Sequence, residues 1–408
     1  MTSIDEQVAV LMSNTGYGDE GTRQMMTAEL RERLIQAEKD GRPLRVYCGY
    51  DPRTSDLHLG HTITMRKLRQ FQDFGHEVIF LIGSFTSTIG DPDDNRARDM
   101  LDLEQVLQNG QSYAEQAFKI LDREKTRVLH NHEWLQKLSF GDVIRLAQIF
   151  TVQQFISREN FRNRIDDGTP IYLHEFFYPL MQGYDAAAME TDVQIGGQDQ
   201  LFNLMAGRQL MSRLGQKPQI VIAMGESLPG TDGVLKMSKS KGNHIPIMTD
   251  ALDMFGKIMS IPDDAMPLYF KLLLGRQPDA VDALMAEINA GTTHPRDAKA
   301  GLAREIVGIF HPENDPVAIQ QEWERIFKQS GTPDDLPEYT LSTEQSIVDI
   351  LADSGLVGSK GEAKRQIKQG GVRLEGEKIA SQDATVAPGQ TPAVLQVGKR
   401  KFVKLVAG

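Results

Sequence analysis

Two short runs hold the residues best suited to chemistry. His58-Leu59-Gly60-His61 sets two imidazoles three residues apart, between an apolar run (RVYCGY) and a stretch with helical spacing. That context puts both rings at a helix N-terminus, where free backbone N–H groups and the positive end of the helix dipole attract an anion. Gly60 has no Cβ, so a phosphate or a base can lie against the backbone. Neutral imidazoles add N–H donors for phosphate oxygens. Taken alone, the pair fits equally well two capping or surface histidines, or half a metal site. The second run is Lys236-Met237-Ser238-Lys239-Ser240, preceded by GTDGVL and followed by KGN. Two ammonium groups on a glycine-flanked loop make a movable cationic flap suited to a pyrophosphate. Alone it is a solvated basic loop. The two runs in this order, about 180 residues apart, are far more specific than either one.

Both runs need elements to hold them. RVYCGY reads as a buried strand, DPRTSDLHLGH as a loop, TITMRKLRQFQDFG as a helix stopped at Gly75, and HEVIFLIG as a second strand. Strand, helix, strand in that order is a βαβ unit with parallel strands. Residues 92–190 read as mostly helical. TDVQIGGQDQ and QIVIAMGESL are two further strands around the helix LFNLMAGRQLMSRLG, and residues 250–330 are again helical. GTPDDLPEYTLSTEQ (331–345) has the prolines and small polar residues of a linker. The expected architecture is α/β. A Rossmann-like catalytic domain with a parallel sheet spans 1–248 and carries a helical insertion at about 92–190. An α-helical domain (249–330), the linker and a small α+β domain (346–408) follow.

Composition bounds the function. The chain has 408 residues and a net charge of −11, with 40% hydrophobic and 25% charged residues. That is a globular composition, and it excludes a generic basic nucleic-acid coat. A single cysteine, Cys48, excludes a disulfide framework and reads as a small buried residue. The acidic start has no basic n-region, and the apolar runs fall far short of the ~20 residues of a membrane helix. A cytoplasmic protein without a membrane partner is expected. The charge is uneven, however. From Ser346 onward there are ten Lys/Arg against six Asp/Glu, a net of +4, which leaves −15 on the remainder.

HLGH and KMSKS resemble the two signatures of the class I aminoacyl-tRNA synthetases. YCGYDPRTSDLHLGH, YPLMQGYDAAAMETDVQIGGQDQLFN and KMSKSKGN together resemble the bacterial tyrosyl branch of that family. The resemblance implies activation of L-tyrosine by ATP, with Mg²⁺ travelling on the nucleotide and no protein-bound metal, and then transfer to tRNA(Tyr). It also implies a homodimer. By position, His58 and His61 contact the ATP phosphates, and Lys236 and Lys239 hold the departing pyrophosphate. Gly49, Asp51, Gly60, Thr64, Gly197, Asp199 and Met237 line the ATP and adenylate, with Asp199 at the ribose. Tyr47 and Asp185 match the pair that hydrogen-bonds the substrate phenol. Asp91, Tyr178 and Gln182 match residues around its ammonium, and Gln200 completes the tyrosine set. A carboxylate nucleophile is already ionised at neutral pH, so no general base is needed. Positioning and charge stabilisation must then carry the reaction.

The tryptophanyl branch shares the fold and both signatures. The Tyr47/Asp185 pair and the basic tail argue against it. A non-catalytic RNA-binding relative would not need both signatures intact. The chain departs from the family at Arg53, where a threonine is common, and at Asp93-Asp94, where Ser-Gly is common. Arg53 could reach the ATP phosphates, and the two aspartates are expected to face solvent. The remaining histidines, His244 among them, read as structural or solvated.

The basic tail resembles the alpha-L RNA-binding module of a ribosomal small-subunit protein. Residues 346–355 and 360–369 read as two helices. The second puts Lys364, Arg365 and Lys368 on one face, with Arg373, Lys399, Arg400 and Lys401 adding charge nearby. Such a face contacts phosphates and positions RNA without reading bases.

Overall fold

The computed structural model describes residues 2–92, 100–328, 336–398 and 401–408. Asp93, Asp94, Lys399 and Arg400 lie outside them. The chain divides into two compact units, Met1–His311 and Pro312–Gly408. The helices between Ala251 and Phe310 therefore fall in the same unit as the parallel sheet.

That sheet has five parallel strands: β1 (Arg45–Tyr50), β2 (Glu77–Ile82), β3 (Thr126–His130), β4 (Val193–Gly197) and β5 (Ile220–Met224). Their order is β3-β2-β1-β4-β5. Every residue of β5 and five of the six in β2 are buried, the near-continuous apolar pattern of a parallel sheet covered on both faces. The chain builds outward from β1 to β3 and then returns to place β4 on the other side of β1. The strand order reverses between β1 and β4, and it is at the carboxyl ends of the strands beside such a reversal that open α/β sheets take their ligands.

The sheet also carries a correction. The stretch 92–190, read as helical, contains β3, which pairs with β2 from Thr126↔Val78 to His130↔Ile82. TRVLH is a five-residue edge strand with no fully buried position, too short and too polar to give a periodic signal. The rest of the insertion is helical, with the segments His132–Leu135, Phe140–Ala147, Val152–Ile156, Glu159–Asp166 and Phe177–Met189. The Thr62–Asp73 helix buries Met65, Leu68 and Phe71 at a spacing of three, with Ile63 beside them. Before β1, the Glu20–Asp40 helix ends on Gly41 in the left-handed conformation.

The second unit holds a five-stranded sheet and a two-stranded one. The strands are β6 (Glu338–Leu341), β7 (Gln345–Ser346), β8 (Val372–Leu374), β9 (Glu377–Lys378), β10 (Thr385–Val386), β11 (Ala393–Val397) and β12 (Lys401–Ala407). The larger sheet runs β6-β12-β11-β8-β9, and β7 pairs with β10. Helices Ile347–Asp353 and Lys360–Lys368 contribute Ile347, Ile350, Leu351, Ala363 and Ile367 to its core. β6, inside the segment read as a linker, runs parallel to β12 as an edge strand. Of its four residues only Leu341 is buried, which gives it little apolar signature.

Candidate active site

His58 caps a single 3₁₀ turn, Leu59–His61, that runs directly into the Thr62–Asp73 helix. The two imidazole centroids are 3.9 Å apart. The His58 backbone N–H donates to His61 Nδ1 at 3.2 Å. This fixes the tautomer: the His61 proton sits on Nε2, which can donate to a ligand. Burial, with smaller contributions from the neighbouring histidine and lysine charges, lowers His58 to about 2. Burial likewise lowers His61 to about 4. Both rings are neutral donors at physiological pH. A Cβ on Gly60 would stand 3.0 Å from His58 Cε1 and Nδ1 and 3.6 Å from Met237 Cβ. Any larger residue at this position would press on the His58 ring, while Met237 is in ordinary contact.

The lysine run lies against this turn. Leu59 N–H donates to the Ile245 carbonyl at 3.0 Å, and Ile247 N–H to the Leu57 carbonyl at 3.0 Å. His58 and Pro246 form an antiparallel bridge between them. Lys236 Nζ is 2.7 Å from Asp199 Oδ2, and Lys239 Nζ is 2.8 Å from Asp56 Oδ2. Met237 is buried. Buried Asn243 clamps the loop from within. Its Oδ1 accepts from Ser238 N–H at 2.8 Å and its Nδ2 donates to Asp232 at 2.6 Å.

The side chains expected around tyrosine come from four separate segments. Tyr47 is fully buried on β1, and its hydroxyl makes no well-formed hydrogen bond. Burial first, then Asp185, pushes its pKa well above the ordinary phenol value. Tyr178, Gln182 and Asp185 stand at i, i+4 and i+7 on the Phe177–Met189 helix, hence on one face. Asp185 accepts from Trp134 Nε1 at 2.8 Å and from Asn131 Nδ2 at 3.1 Å. Burial outweighs these donors and raises its carboxyl to about 8. Asp91 accepts from Gln200 at 2.6 Å and Asn203 at 3.2 Å, with Arg158 Nη2 at 3.6 Å.

Four of the expected nucleotide residues, Gly49, Asp51, Gly197 and Asp199, lie at or just past the carboxyl ends of β1 and β4. Asp51, just past β1, accepts from Thr86 at 2.8 Å and Tyr178 at 3.1 Å. A Cβ on Gly83 would come 2.0 Å from Asp51 Oδ1 and 2.5 Å from Thr86 Oγ1, so a larger residue there would displace the hydrogen-bonded Asp51–Thr86 pair. Thr64 Oγ1 sits 2.8 Å from the Tyr50 hydroxyl and donates to the His61 carbonyl at 3.0 Å. It thereby ties β1 to the signature turn. Gly49, next to the last residue of β1, is exposed, and Gly197 ends β4 just before Asp199. Arg53 is turned to the Ser87 carbonyl, 2.6 Å away.

The model of the class I tRNA synthetases for tryptophan and tyrosine matches residues 39–328, and that of a tyrosine–tRNA ligase SYY-like C-terminal domain matches 328–405. The tyrosine–tRNA ligase of Desulfotalea psychrophila is 45% identical over 409 residues, covering 100% of this chain and 99% of the relative. Tyrosine–tRNA ligase 2 of Vibrio parahaemolyticus is 48% identical over 375 residues, covering 92% and 94%.

The chain belongs to the class I tyrosine–tRNA ligase family.

Solved tyrosyl-tRNA synthetases share its fold. That of Archaeoglobus fulgidus, complexed with L-tyrosine, superposes with a TM-score of 0.60 at 23% identity over 78% of this chain and 99% of that one. A C-terminally truncated mitochondrial enzyme of Aspergillus nidulans gives 0.61 at 21% identity over 80% and 95%.

The fold also brings in residues that sequence reasoning does not single out. Asn131 and Trp134 hold Asp185, and both follow the edge strand that sequence patterning misses. Asp56 and Thr54, in the loop before HLGH, hold Lys239. His244 stands 6.2 Å from His58. The one sequence signal for it is its place one residue beyond KMSKSKGN. In the second unit Lys364, Arg365 and Lys368 are exposed on the helix side opposite buried Ala363 and Ile367. Arg373 instead donates to the Gly376 carbonyl at 2.9 Å, and Lys401 to the Leu356 carbonyl at 2.9 Å.

Proposed function

We infer that this chain is a tyrosine–tRNA ligase. It joins L-tyrosine to ATP, forming tyrosyl-AMP and pyrophosphate, and then passes the tyrosyl group to the 3′-terminal adenosine of tRNA(Tyr). The observation that carries the residue assignments is the backbone pairing of the histidine run, Leu57–Leu59, with Ile245–Ile247, the segment that follows the lysine run. That pairing sets two neutral imidazoles and two lysines around one spot at the carboxyl end of β1. The substrate carboxylate attacks the α-phosphate. The P–O bond to the β-phosphate breaks, and pyrophosphate leaves with its electron pair. His58 and His61 give N–H donors to the phosphate oxygens, where negative charge builds. Lys236 and Lys239 exchange Asp199 and Asp56 for the pyrophosphate.

Tyr47 and Asp185 receive the substrate phenol. A phenylalanine would leave the buried carboxyl and hydroxyl unmatched, which costs more than the contact gains. Tyr178, Gln182, Gln200 and Asp91 take the ammonium end. Gly49, Asp51, Gly60, Thr64, Gly197, Asp199 and Met237 surround the nucleotide. Mg²⁺ comes in on ATP: lysines and N–H-donating imidazoles suit phosphate oxygens rather than a cation, and Mg²⁺ prefers phosphate oxygens and water. Lys364, Arg365 and Lys368 form the core of the tail's tRNA contact; Arg373 and Lys401 add charge, and Lys399 and Arg400, outside the described residues, are assigned to it from the sequence alone. The working form is a homodimer. The insertion exposes Phe140 (80%), Leu173 (73%), Val152 (64%) and Ile144 (55%), apolar surface that a second copy would cover. The compartment is the cytoplasm.

Exchange of labelled pyrophosphate into ATP, run with a panel of amino acids, tests the assignment. Tyrosine alone should drive it, and exchange driven by tryptophan would overturn the reading. Sedimentation of Phe140→Asp tests the dimer: the variant should sediment as a monomer where the parent does not.

A further inference from the structure

A second cavity, about 340 Å³, lies between the Ser13–Asn14 turn, the Thr62–Asp73 helix, Lys119, Met224 and the Met266–Leu274 helix. It shares no residue with the active site. Its walls carry five cations, Arg66, Lys67, Arg69, Lys119 and Lys271, and a single acid, Asp73.

Four of the cations are answered by the protein. Lys67 donates to the carbonyls of Val10 at 3.0 Å and Ser13 at 3.1 Å and to Ser13 Oγ at 3.3 Å. Arg69 pairs with Asp73 at 2.7 Å and donates to the Ile120 carbonyl at 3.0 Å. Lys119 donates to the Phe310 carbonyl at 2.6 Å, and Lys271 meets Glu226 at 2.5 Å. Arg66 pairs with no carboxylate among the described residues, and its Nε is buried without a hydrogen bond. One helical turn on, Gln70 Oε1 is in the same condition. The two acids, Asp73 and Glu226, each answer one cation, so three positive charges around the cavity have no counter-charge among the described residues. Burial accordingly lowers Arg66 to about 10 and Lys67 to about 7. Buried cations are expensive unless paired. An anion from solution would remove that cost.

We propose that this cavity binds a phosphate-class anion, with the Arg66 guanidinium as its main ligand and Lys67 and Lys119 supplying further charge. A guanidinium fork matches two phosphate oxygens at once. Ile63, Met224 and Leu272 form apolar wall beside it, so the anion can be free or can carry a small organic body. Pyrophosphate and AMP, the two phosphate products of the ligase reaction, represent the two cases. Nothing in this cavity depends on which amino acid the active site takes.

The test is calorimetric, on the full chain carrying Lys236→Ala and Lys239→Ala, with the catalytic crevice filled by a non-hydrolysable tyrosyl-adenylate analogue. Pyrophosphate and AMP are titrated separately. At least one should bind at one equivalent per chain. Adding Arg66→Leu should weaken that binding about tenfold or more, the size of a lost charge-assisted hydrogen bond. Pyrophosphate binding alone identifies a free anion, and AMP binding a phosphorylated organic one. Arg66→Lys keeps the charge but loses the fork, and serves if Arg66→Leu does not fold; it too should weaken binding. No binding of either probe, or an affinity that both variants leave unchanged, overturns the proposal.

Discussion

Lys239 and Asp56 form an ion pair across the mouth of the active site, with Nζ 2.8 Å from Oδ2 and Thr54 Oγ1 at 3.3 Å from the same nitrogen. The lysine holds the Asp56 carboxyl below the ordinary aspartate range. This pair and Lys236–Asp199 occupy both signature lysines; under the proposed function, phosphates displace both acids.

Asp56→Asn should therefore help ATP. The pair is partly exposed, and such pairs are worth at most ~1 kcal/mol. The expected result is a KM for ATP about 2–5-fold lower, with an advantage that shrinks as salt screens the pair. Pyrophosphate exchange at low and high ionic strength measures this. An unchanged or higher KM at low salt would show that the pair does not compete with ATP.

Lys239→Ala should act differently. Loss of one group that stabilises transition-state charge costs about 10²–10³ in rate. Adenylate formation should slow by that order while tyrosine binding, followed by equilibrium dialysis, stays as it was. A variant weakened mainly in tyrosine affinity would place Lys239 elsewhere in the mechanism.

The histidines give a pH prediction. With His58 lowered to about 2 and His61 to about 4, neither changes protonation between about pH 5.5 and 8. The single-turnover rate of adenylate formation should show no inflection near the ordinary histidine value of about 6.5. An inflection there that vanishes in His61→Asn would contradict the neutral-donor role.

Asp185 links pH to stability. Its carboxyl is raised to about 8 in the fold, against about 3.9 in an unfolded chain. Between those values the folded state holds the proton and the unfolded state has released it. Stability from this group is thus full below about pH 4 and falls as pH rises toward 8. Asp185→Asn removes that slope. Denaturant unfolding across this range should show the variant gaining on the parent as pH rises, and a constant difference would refute the assignment. The same variant should lose tyrosine-dependent exchange by about 2–10-fold, the size of a hydrogen bond between neutral groups.

The tail can be tested by salt. Lys364→Ala with Lys368→Ala should weaken tRNA binding and lower the slope of log affinity against log salt by about two, one per phosphate contact. Pyrophosphate exchange should not change. An unaltered slope would remove the exposed face of the Lys360–Lys368 helix from the RNA contact.

Much of this site is legible in the order of the residues. HLGH and KMSKS declare themselves because their chemistry is packed into four or five neighbouring positions. The buried strands β1, β2, β4 and β5 carry apolar runs long enough to recognise. What stays hidden is what depends on folding. β3 gives no signal because an edge strand buries only part of each residue. With it go Asn131 and Trp134, whose value lies in reaching Asp185 from 54 and 51 residues away. Asp56 looks like a loop acid, because its partner Lys239 is 183 residues distant. Arg53, expected to be able to reach phosphates, is turned to a backbone carbonyl. No spacing rule reports a side chain's direction.

The backbone pairing of Leu57–Leu59 with Ile245–Ile247 bears on how the enzyme is made. Its two halves emerge from the ribosome almost 190 residues apart. At ~5–20 residues per second, the first signature waits for its partner for on the order of ten seconds or more. During that interval the nascent chain owns the histidine turn but no assembled site. Ile247 must clear the exit tunnel before the two strands can meet, so a stalled chain ending short of it should be catalytically silent even where the first βαβ unit has already folded.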